Sequence, residues 1–320
     1  MQNKYINYRI FGWSILAFIF AFLIDNVLIV TFNFPGLFSI FSKVTFLALT
    51  ELFLYIATIS LIIFFIFKNK DSSLRTDAKF LHDINIYIIR SCFWIIFLTG
   101  IVDITIAFFR VEKLFEFFFT KEISNSFTRP IFVGTYIHIP LMIVGFIIGK
   151  FTKTLGFHWL SLLIVMGELL IVIARFIFSY EQTFMGDLVR YWYAGLFLFA
   201  SAYTLYEEGH VRVDIIYQGL KPETKGLINS IGCIILGVST SITIIFIGFN
   251  GKQSIINSPV LNFEITQQGS VGMFIKYHLA LFLAIYAITM LIQFISYFFE
   301  SLADYFGQGN KRAINNQSSY

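Results

Sequence analysis

The sequence predicts an all-α integral membrane protein with about eight transmembrane helices. Of the 320 residues, 57% are hydrophobic and only 13% are charged, whereas charged residues make up about a quarter of an average soluble domain. The apolar residues are also gathered into long runs. Runs of this length exclude a membrane β-barrel, because barrel strands are short and alternate apolar with polar residues.

Each apolar run is long enough to cross a bilayer, which takes about 20 residues in a helix. The first run lacks the small-residue cleavage site of a signal peptide, so we predict that it stays in the chain as the first span. The predicted spans are residues 10–30, 44–67, 84–109, 131–149, 157–178, 188–206, 227–249 and 274–299.

The eight spans fall into two halves of four helices. We predict that residues 1–150 form a four-span membrane extension, which is either an accessory bundle or a diverged copy of the second half. Residues 151–305 are predicted to form a second four-span domain, and residues 306–320 a polar cytoplasmic tail. Neither half would be soluble alone, since each consists mainly of apolar spans.

Lysine and arginine are spread unevenly over the loops. With both termini in the cytoplasm, the inner segments hold 13 of these residues and the outer loops hold 6. Short loops rich in Lys and Arg stay in the cytoplasm, so the distribution favours an N-in, C-in topology. Residues 110–130 hold four of the six outer charges, interleaved with glutamates and the apolar stretch LFEFFF. We predict that this loop is a helix lying in the membrane interface.

A polar pattern surrounds the sixth predicted span, in the stretch ARFIFSYEQTFMGDLVRYWYAGLFLFASAYTLYEEGHVRVDII. An arginine is followed by aromatic residues, an acidic residue stands three positions before an Arg-Tyr pair, and a Gly-His signature closes the pattern. The positions are Arg175, Phe176, Phe178, Asp187, Arg190, Tyr191, Gly209, His210, Val211, Val213 and Asp214. Over about residues 157–303 the chain thereby resembles the small membrane subunit of tripartite ATP-independent periplasmic (TRAP) transporters, the DctQ-like family.

The resemblance implies a scaffold subunit with no catalytic residue, metal or cofactor of its own. Its expected partners are a large DctM-like permease subunit, a periplasmic solute-binding protein and the lipids of the bacterial inner membrane. A sodium gradient is expected to drive uptake of the solute, which in this family is often an organic acid. Nucleic acid is not an expected partner, because the net charge of +4 follows from the predicted topology.

The closing signature has a simpler interpretation as well. On the predicted topology it is the cytoplasmic turn between the sixth and seventh spans. Gly209 can end a helix there, and His210 and Arg212 can lie at the level of the lipid headgroups. A connecting loop with the usual positive charge therefore remains an alternative to a partner-binding motif.

Small residues recur along one face of the seventh span. Ser230, Gly237, Ser241 and Gly248 follow one another at intervals of seven, four and seven residues. Such a face lets another helix approach closely. We predict a helix-packing seam that faces either the other helices of the same domain or a partner subunit.

Charged residues inside the spans are the remaining candidates, because charges are costly in lipid and usually face protein or water. Glu168 lies near the middle of the fifth span, and Arg175 follows two turns later on the same side. Arg175 and Arg190 both lie near the outer interface. An ion-pair network within the chain or with a partner, contacts with lipid headgroups and a solute path are the three possibilities.

The N-terminal half carries a separate group of polar residues at similar depth. Asp25, Glu51, Asp103 and His138 are predicted to form a buried hydrogen-bond cluster. The alternative function is a self-sufficient carrier or channel that uses these four residues. A haem protein is a third possibility, with His278 and His138 as candidate ligands.

Overall fold

The computed structural model describes residues 5–207, 215–264 and 271–309, and within these ranges the regular structure is entirely helical. The prediction of an all-α protein is therefore confirmed. The eight long helices are α1 (Ile6–Phe32), α2 (Phe46–Lys68), α3 (Leu74–Val111), α4 (Pro130–Phe151), α5 (Phe157–Phe178), α6 (Thr183–Tyr206), α7 (Pro222–Gly248) and α8 (Phe274–Tyr305).

Seven of the described helices are long and apolar enough to cross a membrane. The helix outside this set is α6, which corresponds to the sixth predicted span. It is long enough, but it carries Asp187, Arg190 and four tyrosines. The count of eight spans and the N-in, C-in topology stay predictions.

Helix bounds follow the apolar runs closely except at the start of α3. This helix begins at Leu74, whereas the apolar run predicts a start near residue 84. The additional turns place Leu74, Ala78 and Leu81 in the core and also bury Asp77. Apolar residues spaced three and four apart form one buried face of a helix, even where intervening charges interrupt the run.

Short helices connect the long ones. They are Leu37–Phe41, Phe115–Phe118, Lys121–Ser126, Ile215–Gln218 and Asn257–Asn262. Two of them lie in the loop predicted as an interfacial helix, where Phe115 stacks on Phe127 with the ring centroids 4.5 Å apart. Phe117 and Phe118 are mostly exposed. The helical character of this loop is confirmed in part, and its position in the membrane interface stays a prediction.

The chain divides into two compact units. The first contains Met1–Asn85, Thr204–Ser254 and Met290–Tyr320, and the second contains Ile86–Tyr203 and Ile255–Thr289. Both units combine residues from before and after position 150. The division at residue 150 that we predict from the sequence stays a prediction.

Charged side chains hold the helices of the first unit together through contacts that we did not predict from the sequence. Asp77 accepts hydrogen bonds from Nε of Arg9 at 2.7 Å and from Nε1 of Trp13 at 3.0 Å, and all three residues are buried. Arg75 forms ion pairs with Glu300 and, at 2.7 Å, with Asp304. These contacts fasten the start of α3 to α1 and to the end of α8.

The second unit packs around aromatic residues of α6 and α8. Tyr191, Phe199 and Phe282 are almost completely buried, and the ring of Phe282 lies 5.0 Å from each of the other two rings. Gly100 of α3 allows a close approach here, because a Cβ atom at this position would lie 2.7 Å from the indole nitrogen of Trp192.

Candidate functional site

Asp187, the acidic residue before the Arg-Tyr pair, holds the start of α8. It lies in the first turns of α6 and is buried. Its Oδ2 atom accepts a hydrogen bond from the backbone N–H of Met273 at 3.1 Å and lies 3.0 Å from Nζ of Lys276. The carboxylate is therefore bonded within the chain.

Asp103 of α3 binds the next two backbone groups. Its Oδ2 atom accepts hydrogen bonds from the N–H groups of Phe274 at 2.7 Å and Ile275 at 3.1 Å. The first N–H groups of a helix have no partner within the helix, and a negative charge is favourable beside them. Asp103 and Asp187 together supply acceptors for three consecutive N–H groups at the start of α8.

Tyr191, the second residue of the Arg-Tyr pair, joins three helices through its hydroxyl group. The hydroxyl lies 2.9 Å from Oγ1 of Thr99 in α3 and 2.8 Å from Nδ1 of His278 in α8. All three side chains are buried. This hydrogen-bonded chain positions α6 between residues that lie far apart in the sequence.

His138 extends the same polar region. Its Nε2 atom lies 3.2 Å from Oδ1 of Asp103, and its Nδ1 atom lies 3.1 Å from the hydroxyl of Tyr277. The rings of His138 and His278 are in contact, with centroids 5.3 Å apart. Rings in direct contact leave no space for a haem between them, so the geometry does not fit a haem held by these two histidines.

Arg110 supports the start of α8 from the end of α3. Its guanidinium group lies over the ring of Phe274, 3.7 Å from the centroid. It also donates a hydrogen bond to the carbonyl of Gly272. A guanidinium stacked on an aromatic face is stabilised by the charge distribution of the ring.

The other charged residues predicted as partner contacts lie at the surface. Arg190 is exposed, in contrast to its neighbours Asp187 and Tyr191. The side chain of Arg175 is 59% exposed and pairs with Glu181 at 3.3 Å. Glu168 is also exposed, near the middle of α5. Of the predicted residues that the structure describes, Asp187 and Tyr191 are therefore buried. Exposed are Glu168, Arg175 and Arg190.

The closing signature lies outside the described residues. This applies to Gly209, His210, Arg212 and Asp214. Their partner-binding role therefore stays a prediction, beside the alternative of a connecting turn.

The four small residues of α7 are all buried within the chain. Ser230, Gly237, Ser241 and Gly248 lie on its inner side. A Cβ atom at Gly237 would lie 2.4 Å from the ring of Phe294 in α8. At Gly237 this packing lies inside the first unit, and the role of the seam as a whole stays a prediction.

The four polar residues predicted as one cluster in the N-terminal half are divided between the two units. Asp25 and Glu51 belong to the first unit, and Asp103 and His138 belong to the second. Tyr55 donates a hydrogen bond to Asp25 at 3.1 Å, and the backbone N–H of Gly36 donates one to Glu51 at 3.0 Å. Asp25 lines a cavity of about 640 Å³. All four predicted side chains are buried. Asp103 accepts hydrogen bonds from backbone N–H groups at the start of α8, and His138 contacts Asp103 and Tyr277.

Sequence reasoning missed Lys276, Thr99 and Arg110 as parts of this region. Only one signal pointed to them: each is polar and stands in or beside an apolar span, where a polar group needs a partner. The identity of the partner depends on helices that are distant in sequence.

The long apolar helices and the internally bonded polar groups define a multi-pass membrane protein. Residues 164–304, from the middle of α5 to the end of α8, match the model of the family described as "Tripartite ATP-independent periplasmic transporters, DctQ component". This part of the chain is therefore similar to the DctQ component of TRAP transporters. Comparisons with curated proteins and with solved structures gave no match.

Proposed function

We propose that the chain is the small permease subunit of a TRAP transporter and that it braces the large, DctM-like permease subunit. The match over residues 164–304 carries this proposal. The contacts of Asp103, Asp187 and Tyr191 support it, because these buried groups hold helices of the chain together. Internal polar contacts of this kind are typical of a rigid scaffold.

The same proposal places the chain in a bacterial inner membrane as a part of a larger system. A periplasmic binding protein delivers the solute, an organic acid, and a sodium gradient drives its uptake through the large subunit. This chain supplies structure and no catalytic residue. The solute is selected by the other two components.

We further propose that residues 1–150 buttress the DctQ-like part. In the second unit, Thr99 contacts Tyr191, and Trp192 donates a hydrogen bond to the carbonyl of Ile96 at 3.3 Å. In the first unit, Arg75 pairs with Asp304. The extension is therefore packed against the matched region through buried and partly buried groups.

Purification of the tagged chain from its native membrane in mild detergent tests the scaffold role. Mass spectrometry of the bound material is expected to show a large multi-span permease. Proteoliposomes that contain this chain alone should show no solute flux. A folded chain that carries no permease and transports solute by itself would overturn the proposal.

A second candidate, independent transport, is favoured by the cavity beside Asp25. Both Asp25 and Glu51 are buried carboxyl groups, and Asp25 faces that cavity. If this were the transport path, flux in the same proteoliposomes would disappear in the Asp25→Asn variant. The scaffold proposal expects no flux in either preparation, so one experiment separates the two functions.

A further inference from the structure

Helix α5 has an unusual combination of burial and charge. Leu160 is its only buried residue. In the most apolar 18-residue stretch of the helix only 6% of the residues are buried, compared with 44% in the corresponding stretch of α3. Glu168, close to the middle of this apolar helix, is exposed. It has no hydrogen bond or ion pair with any residue in the described part of the chain.

An isolated carboxylate at the centre of a bilayer is unfavourable. Insertion scales give a cost of about 3 kcal/mol for an aspartate at a helix centre, and such residues almost always face protein or a water-filled cavity. The exposed surface of α5 therefore indicates a face that is covered when the complex is assembled. We call Val165, Glu168 and Val172 the α5 face, because residues spaced three and four apart lie on one side of a helix; both valines are about half exposed.

Within the described residues, no positively charged side chain pairs with Glu168. Arg175 is seven residues away, which corresponds to roughly 10 Å along the helix axis, and it pairs with Glu181. A second copy of the chain is unsuitable, because a two-fold contact through this face would place Glu168 opposite Glu168. The occupant must therefore bring its own positive charge into the membrane.

We propose that a transmembrane helix of the large permease subunit covers the α5 face and pairs a lysine or arginine with Glu168. This inference rests on the proposed function, and it adds the surface and the chemistry of the contact. The apolar valines pack against the partner helix, and the ion pair fixes its depth. Packing between helices in lipid depends on such close contacts and on polar pairs, because lipid supplies no hydrophobic driving force.

The test compares wild type with Glu168→Gln and Glu168→Leu in the mild-detergent purification. Removing one partner of a desolvated charge pair weakens an interface strongly, so we expect about tenfold less permease bound to each variant. Leu170→Ala is the matched control, since Leu170 is similarly exposed on the opposite side of α5. This control should keep wild-type binding.

A photoreactive residue at position 172 gives a second measurement that does not depend on charge removal. Crosslinking to the large subunit, with much less from position 170, is expected. Crosslinks only to lipid or to a second copy of the chain would overturn the inference. The inference would also be overturned if both Glu168 variants bound as much permease as wild type does. If wild type itself binds no permease, the proposed function fails and the inference fails with it.

Discussion

Two consecutive helices of the DctQ-like part differ in how they use their polar residues. In α6, nine residues are buried, and Asp187 and Tyr191 are bonded inside the second unit. In α5, Leu160 alone is buried and Glu168 points outward. Yet α5 is the helix that is apolar enough to cross a membrane, and α6 is not among the seven that qualify.

The difference shows that the hydropathy of a helix does not predict how much of that helix is buried in the protein. Lipid tails accept apolar side chains without penalty, so an apolar helix has little reason to be covered. Polar groups have no water to bond with in the hydrocarbon, and they must find partners within the protein. In α6, Asp187 and Tyr191 obey this rule, whereas α5 leaves the carboxyl group of Glu168 unsatisfied.

The largest expected effect comes from replacing the buried carboxylate of Asp187 in α6 with alanine. Asp187→Ala would remove the carboxylate that accepts a hydrogen bond from the N–H of Met273 and pairs with the ammonium group of Lys276. We expect a loss of about 3 kcal/mol in the free energy of unfolding, as for other buried pairs that lose one member. Unfolding of the purified chain in mixed micelles measures it.

Glu168→Ala is the matched variant for that measurement. An exposed position far from such contacts changes stability by no more than about 0.5 kcal/mol. Equal destabilisation by both variants would contradict the contrast between α5 and α6. The contrast would be sharpened if Glu168→Ala affected permease binding and left the unfolding transition unchanged.

A smaller effect is expected from the hydroxyl group of Tyr191. Tyr191→Phe removes the bridge between Thr99 and His278 and keeps the ring in place. The loss of stability should be about 1 to 2 kcal/mol, since buried polar groups remain without a partner. Tyr193→Phe is the control, because Tyr193 is 54% exposed and should be neutral in the same unfolding experiment. A neutral Tyr191→Phe variant would show that this bridge does not hold α6.

The sequence predicted α5 and α6 with unequal success. An uninterrupted apolar run predicted the ends of α5 at residues 157 and 178, as observed. The family pattern selected Asp187 and Tyr191, but their partners were out of reach, because Met273 and His278 follow more than 80 residues later in the chain. Periodicity alone did not show that Glu168 is exposed, since the packing of the neighbouring helices decides which side is covered.

The smallest effect concerns the loop that joins α5 to α6. The hydroxyl of Tyr180 donates a hydrogen bond to Glu112 at 2.6 Å. Burial has the largest effect on the pKa of Tyr180, and the contact with Glu112 has the second largest. Together they raise this pKa from 10.0 to about 12. The neutral phenol is thus favoured in the folded chain, so this contribution to stability is complete below pH 10 and is lost as the pH rises through 12.

A tyrosinate absorbance titration of wild type against Tyr180→Phe isolates this group. Glu112→Gln should lower the pKa of Tyr180 towards its ordinary value, because the negative charge that opposes ionisation is removed. An unchanged pKa in this variant would leave burial as the whole cause. The loop would then be positioned by packing alone, and α5 would be joined to α6 without a polar contact to the end of α3.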